Sequence, residues 1–121
     1  MATLLVVDDE QDVRDLVVRR MVRDGHEVLS ADSGPSALGL IRECGLPDAA
    51  ILDVDMPGMD GFDVLRELRA MAPGLPVLLL TVLWGSVLRD RVRAADVTCI
   101  GKPFTAAQLA TGVQALLDGD S

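Results

Sequence analysis

Ala49-Ala50-Ile51-Leu52-Asp53-Val54-Asp55-Met56-Pro57-Gly58-Met59-Asp60-Gly61 is the stretch whose reading decides the fold. Four apolar residues run into an acid, and Pro57, Gly58 and Gly61 then end any regular element. A short apolar run bounded by turn residues reads as a strand buried on both faces. Asp53 becomes the last residue of that strand, at the point where the backbone opens into a loop. In open parallel α/β sheets this is the edge where ligands and chemistry sit.

Working outward, the chain repeats the pattern. Leu4-Leu5-Val6-Val7 forms a first strand ending at Asp8-Asp9-Glu10. Val13, Leu16, Val17 and Met21 then fall on one face of a helix that Gly25 closes. Glu27 to Ser30 is a weak second strand, and Asp32 or Ser33 caps a second helix carrying Ala37, Leu38 and Ile41. The central strand runs from Asp48 to Asp53. Asp60 caps a third helix with Val64, Leu65, Leu68 and Met71 on its buried side. Pro73-Gly74-Leu75-Pro76 is a turn, and Val77 to Thr81 is a fourth strand buried on both faces. Gly85 to Ala95 gives a less regular fourth helix, and Val97 to Gly101 a short fifth strand followed by Lys102-Pro103. Thr105 with Gln108 makes a capping box for a last helix that buries Leu109, Val113 and Leu116.

Five strand–helix units imply an α/β fold, a doubly wound five-stranded parallel sheet with right-handed crossovers. The flavodoxin-like strand order 2-1-3-4-5 is the common solution for such a (βα)5 chain. It brings strands 1, 3 and 4 together in the centre. Asp8-Asp9, Asp53 and Thr81 then meet at one edge, with Lys102 next door.

Length and composition agree. A chain of 121 residues is one domain, 1–121, with Asp118-Gly119-Asp120-Ser121 as a tail or the start of a linker. Half of it is hydrophobic, yet Phe62, Phe104 and Trp84 are its only aromatic residues, so the core must be aliphatic. A net charge of −8 argues against direct binding to nucleic acid or an anionic membrane. No apolar stretch approaches a membrane span. No basic-then-apolar leader precedes the first strand, and Cys44 and Cys99 form no metal or redox motif. These features lead to the expectation of a cytoplasmic protein without membrane insertion.

Three carboxylates in one pocket repel. At about 4 Å and an effective dielectric near 20, each like pair costs on the order of 4 kcal/mol. Such a cluster protonates in part or binds a cation. Mg²⁺ suits it, because that ion takes oxygen ligands from a few carboxylates together with a substrate phosphate. Three ionised acids, Mg²⁺ and Lys102 sum to about neutral, so an incoming phosphoryl group is tolerated. Asp53 is the candidate nucleophile, forming an aspartyl-phosphate. A metal and an ammonium stabilise the transferring oxygens, and the Thr81 hydroxyl can donate to one of them afterwards. Lys102 is the sole lysine against ten arginines. Its compact point charge differs from the planar arginine fork.

These residues resemble the response-regulator receiver domains of two-component signalling, of the chemotaxis-regulator-like kind, and the likeness covers the whole chain. Val6-Val7-Asp8-Asp9-Glu10 resembles the family's first acidic motif, and Leu52 to Gly61 its phosphoacceptor loop. Leu80-Thr81 and Gly101-Lys102-Pro103-Phe104 resemble its Thr and Lys-Pro-Phe signatures. The resemblance implies that Asp53 is phosphorylated. It implies that Asp8, Asp9, Asp53 and the backbone carbonyl of Asp55 hold Mg²⁺. Thr81 would be the switch hydroxyl and Lys102 the phosphate contact. The donor would be a phosphohistidine on a sensor histidine kinase or a phosphotransfer protein, and the output a downstream effector protein or domain. The chain would not be an enzyme beyond self-catalysed transfer and slow autodephosphorylation. A cis Lys102–Pro103 peptide is expected on the same ground.

Three features depart from the family pattern. Val82 follows Thr81 where a small residue is usual, and Cys99 stands where Tyr or Phe is usual. The stretch between Thr81 and Lys102 is also somewhat short, and its helix is poorly patterned. Cys99 cannot swing a ring inward, so readout is expected through Val82-Leu83-Trp84-Gly85 instead.

Two alternatives stand beside this reading. One is a receiver-like interaction module that is not regulated by phosphorylation. The other is a phosphatase of the haloacid-dehalogenase type, which also places an Asp-x-Asp after an apolar strand. In that type the acidic pair comes late in the chain, whereas Asp8-Asp9 comes first.

Overall fold

The computed structural model describes residues 2–82 and 85–119. Strands and helices alternate throughout: β1 Thr3–Val7, α1 Gln11–Arg23, β2 Glu27–Ala31, α2 Gly34–Cys44 and β3 Ala49–Asp53. The second half continues with α3 Gly61–Met71, β4 Val77–Thr81, α4 Ser86–Ala95, β5 Thr98–Gly101 and α5 Ala106–Leu117. The strands form one parallel sheet in the order β2-β1-β3-β4-β5, as the repeat implied.

The period-2 alternation of the central strands splits the core in two. Leu5, Val7, Ala50, Leu52, Val77 and Leu79 face α2 and α3, where Ala37, Ile41, Phe62, Leu65 and Leu68 cover them. Leu4, Val6, Ala49, Ile51, Leu78 and Leu80 face α1 and α5, against Val17, Met21, Leu109, Val113 and Leu116. Both faces of β3 and β4 are therefore sealed, and every residue of both strands is buried. This is why their sequences read as unbroken apolar runs.

Helix ends follow local chemistry. The Asp60 side chain accepts from the Asp63 amide at 2.9 Å while Asp63 accepts from the Asp60 amide at 3.0 Å. Thr105 and Gln108 make the matching reciprocal pair at the start of α5. Of the two candidates for α2, Ser33 is the cap, accepting from the Ser36 amide. Gly25 lies just past α1 with φ at +93°, the left-handed turn that closes a helix.

Four expectations need correction. Leu16 and Met71 are 46% and 45% exposed, not on buried faces. Leu16 sits a third of a turn from Val17, beyond the narrow stripe that reaches the sheet, and Met71 ends its helix. The third and fifth strands start at Ala49 and Thr98 rather than at Asp48 and Val97. The poor patterning of the fourth helix has a physical counterpart, because α4 buries none of its residues. Of the expected readout loop, Leu83 and Trp84 lie outside the described residues, as do Asp120 and Ser121 of the tail. Among the described residues no helix is long and apolar enough to cross a membrane.

Candidate functional site

Among the described residues three polar or charged side chains are buried: Asp8, Asp53 and Thr81, each at most 1% exposed. Asp8 directly follows β1, Asp53 ends β3 and Thr81 ends β4. These are the three adjacent central strands, so the sheet order alone brings the groups to one edge. Burying ionisable groups is costly unless they are paired, and the pairing comes from the next strand. Lys102, directly after β5, is anchored by its own amide, which donates to the Thr81 carbonyl at 2.7 Å. Its ammonium donates to Asp53 Oδ1 at 3.1 Å and to Asp8 Oδ2 at 3.2 Å. Glu10 Oε1 lies 3.8 Å from the same nitrogen. The Lys102–Pro103 peptide that follows is cis, as expected.

The loop after β3 is shaped around Asp53. The Val54 amide donates to the Leu80 carbonyl, continuing the ladder one residue past the strand. The Asp55 amide turns back to Asp53 Oδ1 at 3.2 Å. Gly61 closes the loop by donating to the Val54 carbonyl at 3.2 Å. A Cβ at Gly61 would stand 2.5 Å from the Asp53 carbonyl oxygen, so only glycine permits this approach.

Burial pushes the Asp53 carboxyl up to about 7; the Asp8 charge adds to that, and the Lys102 hydrogen bond and charge oppose it. For Lys102 burial works against the charged form, but the bonds and charges of Asp53 and Asp8 outweigh it and the net shift is upward. Oδ2 of Asp53 is buried and has no hydrogen-bond partner among the described residues. At the end of the adjacent strand β1, carboxylate oxygens of Asp8, Asp9 and Glu10 lie within 4.8 Å of one another, a group that does not include Asp53. A tight acidic cluster at the end of β1 and an orphaned buried carboxylate oxygen at the end of the adjacent strand β3 are donors of the kind that suit a hard divalent cation.

Neither Asp8 nor Asp9 caps α1. Glu10 holds the cap position and makes no side-chain cap bond, while Asp8 Oδ1 accepts from the Glu10 amide at 2.9 Å. Two participants were missed in the sequence. Glu10 was read only as part of a motif, though its place beside the acid pair was the available signal. Arg14 lies off the apolar face of its helix and carries no signal of a role in the sequence; its guanidinium donates to the Asp8 carbonyl at 2.8 Å.

Cys99 is half-buried, and burial pushes its thiol up. With Thr81, Leu88, Arg89 and Val92 it lines a hollow of about 430 Å³ between α4 and the sheet. Val82 is 52% exposed.

A family model described as the response regulator receiver domain matches residues 4–114. The probable transcriptional regulatory protein TcrX of Mycobacterium tuberculosis is 38% identical over 118 residues, covering 95% of this chain and 49% of that protein. Response regulator MprA of Mycobacterium avium is 38% identical over 117 residues, covering 94% of this chain and 50% of that one. The chain thus spans about half the length of the curated relatives it matches. Among solved structures, the Vibrio cholerae chemotaxis protein CheY4 superposes with a TM-score of 0.88 at 31% identity, over 97% of this chain and 99% of that one. A receiver domain protein from Clostridium thermocellum gives 0.85 at 30% identity, over 98% and 96%.

Proposed function

The chain belongs to the response regulator receiver family of two-component signalling, and on that premise we propose that Asp53 is its phosphoacceptor, with Asp8, Asp9, Thr81 and Lys102 as the machinery around it. The observation that carries this reading is the state of Asp53. It is a fully buried carboxylate at the open end of a central strand, with one oxygen held by Lys102 and the other unpartnered among the described residues.

The donor is a phosphohistidine of a sensor histidine kinase or phosphotransfer protein. An oxygen of the ionised Asp53 forms the new bond to phosphorus as the bond from phosphorus to the imidazole nitrogen breaks. The electron pair of that bond leaves with the imidazole. Catalysis of this step is positioning plus charge stabilisation, and the pocket accelerates its own modification rather than turning over a separate substrate. Lys102, already 3.1 Å from Asp53 Oδ1, is placed to pass from the carboxylate to the phosphoryl oxygens. Thr81, at the end of the neighbouring strand, offers a hydroxyl to another.

Asp8, Asp9, Asp53 and the Asp55 carbonyl would hold Mg²⁺, with Glu10 beside them. When bound, that ion supplies a Lewis acid that offsets the negative charge of carboxylates and phosphoryl oxygens. The domain works in the cytoplasm, and its phosphorylated form is read by an effector protein or an attached effector domain. The charge of −8 favours a protein rather than a nucleic acid as the immediate partner.

Treatment with a small acyl phosphate and Mg²⁺, followed by intact-mass measurement, tests the reading. One phosphoryl group should add to the wild type and none to Asp53→Asn. No observation favours the phosphatase alternative, since the acidic pair precedes Asp53 and directly follows the first strand.

A further inference from the structure

The turn between β1 and α1 has an electrostatic problem. Asp8, Asp9 and Glu10 bring carboxylate oxygens within 4.8 Å of one another on consecutive residues. Mutual repulsion favours opening such a turn. Lys102 opposes this from the sheet side, but it does so by occupying Asp8 Oδ2 and approaching Glu10 Oε1. Asp8 Oδ2 is an oxygen that a metal ion would need, and the same ammonium is the group expected to move to a phosphoryl oxygen.

Arg14 meets the turn differently. Its backbone amide donates to the Glu10 carbonyl at 2.9 Å. Its guanidinium folds back and donates to the Asp8 carbonyl at 2.8 Å. One residue thus brackets the turn at both ends, through main-chain oxygens only. It brings a positive charge to the acids and leaves their carboxylate oxygens available. The side chain approaches on the side of β2 and α2, where it lines a hollow with Ser30, Asp32 and Glu43.

We propose that Arg14 is a positioning residue for Mg²⁺: it holds the Asp8–Glu10 turn in its binding geometry without competing for the ion. The proposal rests on the reading of the acidic pocket given above. Groups behind the ligands commonly change metal affinity by about 10–100-fold when removed.

The test is Mg²⁺ titration by calorimetry of the whole chain, for wild type, Arg14→Ala, Arg14→Lys and Arg14→Gln. Arg14→Ala should weaken Mg²⁺ binding by about tenfold or more, and Arg14→Lys, which keeps a cationic donor, should recover part of it. Acyl-phosphate labelling supplies the second readout. Half-saturation should need correspondingly more Mg²⁺ in Arg14→Ala, while the labelling rate at saturating Mg²⁺ stays near that of wild type. If Arg14→Ala fails to fold, Arg14→Gln carries the comparison, since it keeps much of the stem but not the charge. Equal Mg²⁺ affinity in wild type and the folded Ala or Gln variant overturns the proposal. A rate loss at saturating Mg²⁺ with unchanged affinity also overturns it. Absence of Mg²⁺ binding by the wild type would overturn the reading of the pocket itself, and Arg14's role with it.

Discussion

The ammonium of Lys102 lies 3.1 Å from Oδ1 of Asp53, joining two side chains 49 residues apart at the mouth of the sheet. Because the same nitrogen reaches Asp8 at 3.2 Å, one cation holds two buried carboxylates together. Removing one partner of a buried ionic group costs about 3–5 kcal/mol, since the charges left behind are uncompensated. Lys102→Met should therefore lower the metal-free stability by about 3 kcal/mol at pH 8. The loss should be smaller at pH 5.5, where Asp53 can take a proton. Urea denaturation at the two pH values measures both.

Asp53 itself should give the metal-free protein a falling stability profile. Its folded-state value, about 7, lies above the ordinary 3.8 because burial penalises its charge. The folded state then holds a proton that the unfolded state has released, so stability decreases as pH rises between those values. The contribution is fully present below about 3.8, is lost by rising through about 7, and amounts to a few kcal/mol. Asp53→Asn removes this dependence. At pH 8 without Mg²⁺ the variant should be the more stable protein, and the gap should close toward pH 4. Thermal unfolding across that range is the measurement.

Helix α4 is held differently from the other helices. It has no buried residue and no side-chain N-cap. Its C-terminal carbonyls, at Ala95 and Asp96, both accept from Arg69 of α3, the second at 2.9 Å. Arg91 of α4 stacks over Phe62 at 4.0 Å from the ring centre. Phe62 follows Gly61 directly, so α4 is tethered to the helix that leaves the loop after Asp53. Arg69→Ala should cost about 1 kcal/mol through the lost carbonyl partners. Arg91→Ala should cost about 0.5–1 kcal/mol, the range of an exposed cation–π pair. Hydrogen exchange should show the loss concentrated in α4 amides, with β3 and β4 unchanged.

Much of this was legible in the sequence, for a reason visible in the core. Ala49–Asp53 and Val77–Thr81 are sealed on both faces, so each appears as an apolar run that stops at a polar residue. Once the strand order follows from the repeat, the acids, Thr81 and Lys102 must converge. What was not legible lies in contacts without periodicity. The carbonyl contacts of Arg14 and Arg69 leave no mark, because an arginine that reaches a distant main-chain carbonyl looks no different in sequence from one in water. Leu16 and Met71 misled in the opposite direction. Helical spacing marks a face, and only the sheet beneath decides how wide a strip of that face is covered. Helix α4 gave a weak signal because it has no sealed face to signal.

The most direct test of the central claim is the mass of the intact protein after brief treatment with an acyl phosphate, with and without Mg²⁺. The account predicts one added phosphoryl group in the wild type, dependent on Mg²⁺, and none in Asp53→Asn. Stoichiometric labelling of Asp53→Asn, or a wild type that stays unlabelled while its Mg²⁺ site is filled, would contradict it.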